Sequence, residues 1–277
     1  MTNITKKGMM NLVPQILFSS TLAWSLPVEE IVPFAKASGI DGLEIWSEHV
    51  WHYRSDPQLI HKNNNFELNF TLHAPSWDLN IASLDQEIRE ASIARIFHSI
   101  ELADRIGAGS ITFHPGQATL PVLGTEYYEE ILLESVDKIV QKAKQYGKTM
   151  SLELMEEKPK EFITSPTVLN HFIQSCHTAL RTTFDVAHIK SSQDPVAAFA
   201  ETARVDKIHL SDNLNTRLHV PLGTGIIDRE SIHYFLTQVP LPIVIEGLDP
   251  SPSLDWWHIN LYYVRKLFLP EEQEVFG

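Results

Sequence analysis

Short apolar runs alternate with amphipathic stretches along the whole chain. The runs at 13–18, 42–46, 68–73, 109–114, 149–154, 181–186, 205–210 and 242–246 have the length and residue content of buried strands. Between them the apolar positions recur with helical spacing. Pro27 opens a helix, VEEIVPFAKASG, that Gly39 stops. A weaker helix follows near 56–63. Over 85–106, Ile88, Ala91, Ile96, Ile100, Leu102 and Ile106 form a broad apolar stripe. Further helices are predicted over 126–146, ended by Gly147, and from a cap at Thr164 or Ser165 through Ile173. Others are predicted near 195–203, from Asp228 through Leu236, and over 254–267. No linker, repeat or low-complexity run interrupts this series. Eight strand–helix units imply a parallel sheet. In 277 residues they favour one domain, a closed (β/α)₈ TIM barrel, a fold of roughly 250 residues. An open doubly wound sheet, with two unpaired edges, is the alternative.

Composition narrows the function classes. The formal net charge is −13, which disfavours a broad nucleic-acid-binding face. Cys176 is the single cysteine, so no internal disulfide forms, and its helical setting, FIQSC, suits packing better than nucleophilic chemistry. The stretch KKGMMNLVPQILFSSTLAWS faintly imitates a signal peptide. Pro14, Gln15, Ser19, Ser20 and Thr21 interrupt it, and the barrel needs it as a strand. No run approaches the ~20 apolar residues of a membrane span. The expectation is a soluble cytoplasmic protein with no membrane partner.

The chemistry gathers at the C-terminal ends of the strands, where barrels of this kind carry their active sites. His73 and His114 end the third and fourth runs, in LHAP and FHPG. Glu153 lies on the fifth, and Asp185 and His188 end the sixth, in FDVAH. His209 lies on the seventh, and Glu246 ends the eighth. The stretch after strand seven, SDNLNTRLHVPLGTG, adds Arg217 and His219 and closes on Gly223 and Gly225, which suit positive φ or close backbone approach. The remaining histidines, such as His61, His98 and His233, share no such position and read as surface or satisfied groups. Imidazoles and carboxylates converging on one mouth are ligands for a first-row divalent metal such as Mn, Co, Zn or Fe. Buried carboxylates need partners, and an ion satisfies several at once.

Taken in order, HAPSWDLNIAS, FHPG, LEL, FDVAH, IHLSDN, RLHVPLGTG and VIEG resemble the xylose isomerase-like barrel superfamily, from about Leu68 to Gly247. That superfamily includes sugar isomerases, sugar epimerases and the endonuclease IV class of abasic-site nucleases. The resemblance implies that Glu153, Asp185, His209 and Glu246 hold a metal. It implies that His73 and His114, with Glu153 as bridge, match the ligands of an additional metal in the nucleases, so that one or two ions are expected. His188 and His219 match two ligands of the nucleases' third metal. The remaining ligand there is an aspartate, and this chain has Arg217 in its place. In the tagatose and psicose 3-epimerases a histidine and an arginine matching His188 and Arg217 hold substrate oxygens. This departure favours sugar chemistry over DNA cleavage. A second departure bears on the substrate: about where those epimerases carry a further glutamate, this chain has Pro159.

The leading expectation is a metal-dependent isomerase or epimerase of a small carbohydrate. Glu153 and Glu246 would act as base and acid, and Arg217 would steady the developing oxygen charge. His188 and His219 would contact substrate, with Trp46 and Trp77, and beside them Trp24 and Trp51, walling the pocket. A metal-dependent dehydratase or lyase shares the first proton abstraction and is an alternative. Phosphodiester hydrolysis with two or three metals is another, and a non-catalytic metal-stabilised binding protein a fourth.

Overall fold

A computed structural model describes residues 14–268. Eight parallel strands pair in chain order and close on themselves, β8 returning to β1. They are β1 Ile16–Ser19, β2 Gly42–Trp46, β3 Asn69–His73, β4 Ser110–Phe113, β5 Thr149–Glu153, β6 Arg181–Asp185, β7 Val205–Leu210 and β8 Ile243–Ile245. The helices are α1 Val28–Ser38, α2 Ser47–Tyr53, α3 Pro57–Asn64, α4 Gln86–Ile106, α5 Thr125–Gln145, α6 Pro166–Ser175, α7 Pro195–Glu201, α8 Arg229–Gln238 and α9 Asp255–Phe268. Each unit is present as the apolar pattern predicts, and α2 is an addition. The first residue assigned to strand one, Val13, lies outside the described residues.

Local chemistry sets the helix starts. Asp85 accepts from the amides of Glu87 and Ile88, Ser165 from Val168, and Asp228 from Ser231. Ser165, not Thr164, is therefore the cap of α6. Gly39 and Gly107 end α1 and α4 in the left-handed region.

The outward faces of the strands carry the apolar core. Leu43, Ile45, Leu72, Ile111, Leu152, Phe184 and Ile208 are fully buried against helix residues such as Ile31, Ile100, Val136 and Phe235. The inside of the barrel is different: Ser19, Glu44, Thr71, Thr112, Ser151, Thr183 and Lys207 are all buried. Their side chains meet across the barrel. Lys207 on β7 pairs with Glu44 on β2, and the Thr112 and Thr183 hydroxyls approach to 2.9 Å although β5 lies between their strands. Such barrels are usually filled by branched apolar side chains. Here the filling is hydrogen-bonded and charged, and it forms the floor beneath the strand ends.

Cys176 is a buried free thiol, and burial pushes it up to about 12. It is inert packing. No helix among the described residues is long and apolar enough to cross a membrane.

Candidate metal centre and active site

The strand ends converge. Glu153, Asp185, His209 and Glu246 each offer one donor atom to a group whose members lie within 4.8 Å of one another. His73, His114 and Glu153 form a second such group, and Asp185, His188 and His219 a third. Glu153 joins the first two: its Oε2 lies 3.3 Å from His73 Nε2 and 3.0 Å from His114 Nε2, and its Oε1 lies 3.3 Å from His209 Nδ1. Glu246 Oε2 is also 3.3 Å from His209 Nδ1.

Two observations fit a divalent ion to these residues. The first is the orientation of three histidines, two of which have one ring nitrogen committed to a backbone carbonyl. His73 Nδ1 lies 2.7 Å from the Ala74 carbonyl and His188 Nδ1 2.8 Å from that of Leu154. A carbonyl only accepts, so these nitrogens carry the proton and Nε2 faces the cluster. His209 is turned the other way: Nε2 lies 2.8 Å from Glu44 Oε1 and Nδ1 faces the cluster. Metal-ligating histidines are held in this manner, by a carbonyl or carboxylate on the far nitrogen. The second is the set of buried atoms without a hydrogen-bond partner, which includes Asp185 Oδ2, Glu246 Oε2 and His209 Nδ1. Unpaired buried polar atoms are costly, and an ion would satisfy all three.

The electrostatics of the cluster follow from packing so many charges together. Burial alone would raise Glu153, but the adjacent His209 and His114 hold it well below the usual carboxylate range. Glu246 is opposed by burial in the same way, and His209 and His219 bring it to about 2. Burial raises Asp185 well above its usual value, against the His188 charge. His209 is raised well above 6.5 because Glu44, Glu246 and Glu153 outweigh its burial. His188 rises to about 9, as Asp185, Glu153 and Glu156 outweigh burial.

A cavity of about 340 Å³ opens over this floor. His114, Glu153, His188, His219, Glu246, Trp46 and Trp77 all line it. Trp46 lies flat on His73, ring centroids 3.9 Å apart and planes 9° apart, and so fixes that imidazole. Trp24 stacks on His49 and borders Trp77. Trp51 faces away and carries the Arg95 guanidinium over its ring at 3.6 Å.

His219 reaches the mouth on the loop after β7. Asp212, fully buried, accepts from the amides of Gly223, Gly225 and Ile227 at 3.1, 2.8 and 3.0 Å and folds the loop around itself. A Cβ at Gly225 would lie 2.2 Å from the Asn213 carbonyl oxygen, so only glycine fits, and Gly223 has φ +77°. His219 itself has φ +57°, a conformation that costs about 1–3 kcal/mol and is held by the Asp212–Val220 bridge beside it. Arg217 is exposed, with its guanidinium over the Trp256 ring at 4.6 Å, and does not line the cavity. Of the residues expected at the pocket, Arg217 and Trp51 stand apart.

Sequence reasoning passed over Glu44, Lys207 and Glu156. Glu44 is fully buried, accepts from Thr71 Oγ1 at 2.9 Å, pairs with Lys207 and holds His209 Nε2. Its signal was a single carboxylate on the apolar run GLEIW. Glu156 lines the cavity, its buried Oε2 unpartnered and 3.6 Å from His188 Nε2.

Comparison with known proteins agrees with this architecture. The family model for the xylose isomerase-like TIM barrel matches residues 32–267. An uncharacterised protein of Methanocaldococcus jannaschii is 30% identical over 217 residues, 76% of this chain and 79% of its own length. A probable endonuclease 4 of Petrotoga mobilis is 28% identical over 218 residues, 70% of this chain and 75% of that one. Among solved structures, a D-tagatose 3-epimerase-like protein superposes with a TM-score of 0.75 at 22% identity, covering 92% of this chain and 98% of that chain. With a family match over most of its length, the chain belongs to the xylose isomerase-like TIM barrel family.

Proposed function

We propose that this protein is a metal-dependent isomerase or epimerase that moves a proton next to the carbonyl of a small carbohydrate. The observation that carries this reading is the pairing of Glu153 and Glu246. Each places a carboxylate oxygen 3.3 Å from the same nitrogen, His209 Nδ1, and both line the 340 Å³ cavity. Two carboxylates flanking one ligand position can serve opposite faces of a substrate carbon, one taking a proton and the other returning it.

Glu153, Asp185, His209 and Glu246 would hold the ion, and His73 and His114 with Glu153 would hold another. Bound there, the ion supplies Lewis acidity that polarises a carbonyl and its neighbouring hydroxyl. The donor set suits Mn, Co, Zn or Fe. The chain does the rest. Glu153 or Glu246, as the ionised carboxylate, would remove the proton from the carbon beside the carbonyl, and the other, entering the cycle as its carboxylic acid, would deliver its proton to that carbon or to the oxygen that develops charge. His188 Nε2, with Nδ1 fixed on Leu154, orients a hydroxyl, and His219 and Trp77 close the pocket. Arg217 is proposed to reach the cavity only by leaving Trp256. Incubating the metal-loaded protein with ketoses and resolving the products tests this reading: metal-dependent interconversion of stereoisomers or of aldose and ketose is expected. Loss of water from the substrate would instead place it among the dehydratases.

A second reading, phosphodiester hydrolysis, is favoured by the third donor group, Asp185, His188 and His219, and by the 28% identity to a probable endonuclease 4. Against it stand the arginine, Arg217, that the sequence carries where the resemblance would put the remaining aspartate ligand, and the net charge of −13. Incision of abasic duplex by the purified protein, abolished in Glu153→Gln, would establish it in place of the sugar reaction.

A further inference from the structure

The cavity above the metal centre does not end there. His114, Ser76, Trp77, Gln117 and Glu161 also line an adjoining cleft of about 550 Å³. Trp77 stands between the two with 44% of its surface exposed. An indole there offers a broad apolar face with a polar edge, which suits a ligand that is apolar on one side and hydrated on the other.

Trp77 is held at its backbone and at its ring. Glu48 Oε1 accepts from the amide of Ser76 at 2.6 Å and of Trp77 at 3.3 Å. The Trp24 and Trp46 rings pack against it, with centroids 5.4 and 5.7 Å away. The polar lining is clamped too. Asn80 Nδ2 donates to the Gln117 carbonyl at 2.8 Å, and its Oδ1 accepts from the Gln117 amide at 2.9 Å. Gly116 makes that approach feasible: it has φ +82°, and a Cβ there would lie 2.5 Å from Asn80 Oδ1. Gln117 Nε2 in turn donates to Glu161 Oε1 at 2.8 Å. The cleft is therefore preformed, with an aromatic plate and a carboxamide–carboxylate pair fixed beside it.

The charge of the lining selects among ligands. The cleft carries Asp78 and Glu161 and no lysine or arginine. A phosphate or other polyanion would meet the two carboxylates there with only the His114 imidazole to set against them. A neutral polyhydroxylated ring fits: its C–H face lies on the indole, and its edge hydroxyls reach the Gln117–Glu161 pair, which offers a donor and acceptors. A single sugar ring seated on the metal centre leaves this cleft unfilled.

We infer that Trp77 and the Gln117–Glu161 pair form a second sugar-ring subsite, and that the substrate is a carbohydrate of two rings, one reacting at the metal centre and one seated on Trp77. This rests on the carbohydrate reading above, which stands or falls separately. The test is calorimetric titration of the metal-loaded protein with D-fructose and with the ketose disaccharides isomaltulose, turanose and lactulose. At least one disaccharide is expected to bind at least about tenfold more tightly than D-fructose. Trp77→Ala is expected to bring that disaccharide down to the affinity of D-fructose, while Trp77→Phe keeps most of the preference. Metal content, measured alongside, is expected to be unchanged in both variants. Binding of D-fructose at least as tight as that of every disaccharide, or a preference that survives Trp77→Ala, overturns the subsite and leaves the carbohydrate reading intact. Absence of binding by all four probes at full metal occupancy overturns both.

Discussion

Glu44 Oε1 lies 2.8 Å from His209 Nε2, on the side of the imidazole away from Glu153 and Glu246. The contact is fully buried, and Thr71 and Lys207 fix the carboxylate from below. It draws the Nε2 proton toward Glu44, so that Nδ1, once it has given up its own proton, presents a lone pair on the side of Glu153 and Glu246. Glu44→Gln keeps size and an acceptor but removes the charge that makes the imidazole a stronger donor. Loss of such a partner typically weakens metal binding about 10–100-fold. Competition against a chelator of known affinity measures it, and an unchanged affinity would show that Glu44 has no part in holding His209 for the metal.

The same carboxylate is half of a buried ion pair. Lys207→Met leaves Glu44 beneath the metal centre without its lysine, which is expected to cost about 3–5 kcal/mol. Urea unfolding should show that loss. The double variant Glu44→Gln with Lys207→Met should recover most of it, because both charges are then gone. Equal destabilisation in the single and double variants would refute the pairing argument.

Charge at the centre makes metal uptake depend on pH. In the metal-free protein Glu44, Glu246 and Glu153 raise His209 well above 6.5, so it carries a proton at pH 7. Its pairing stabilises the metal-free fold fully below about 6.5 and is lost as pH rises through the raised value. An ion needs the Nδ1 lone pair and displaces that proton. Metal affinity should therefore rise with pH through and above neutrality. Titrations at pH 7 in two buffers of different ionisation enthalpy should show net proton release. Binding without proton release contradicts this account of His209.

His73 and His114 bear on the metal count. Both present Nε2 to Glu153 Oε2, and Trp46 holds the His73 ring flat. His114→Ala is expected to lower the metal content from two ions per chain to one. One ion per chain in the unaltered protein under added metal would rule out the dinuclear centre.

Much of this centre was legible in the sequence because strand ends in a barrel share one destination. A histidine or carboxylate ending each of several apolar runs, as His73, His114, Asp185 and Glu246 do, must converge once the runs close into a barrel. Gly223 and Gly225 were legible for a similar reason, since only backbone demands explain two glycines so close together. What the pattern hid was the inside of the barrel. A strand buried on both faces reads as one apolar run, so the parity that turns Glu44 and Lys207 inward is not marked. Their pairing spans non-adjacent strands and leaves no local spacing. Arg217 was misplaced for another reason: its position is set by Trp256, a contact made through tertiary packing. Trp51 likewise answers to Arg95 on α4 and not to the pocket.

The central claim is that Glu153 and Glu246 exchange a proton with carbon next to a carbonyl. The measurement is deuterium incorporation into substrate during turnover in D₂O, read by proton NMR and mass spectrometry, with metal content determined on the same samples. The account predicts one deuterium at the carbon beside the carbonyl for the metal-loaded protein. It predicts loss of that incorporation in Glu153→Gln and in Glu246→Gln with metal still bound. Full incorporation in both variants at full metal occupancy would contradict it.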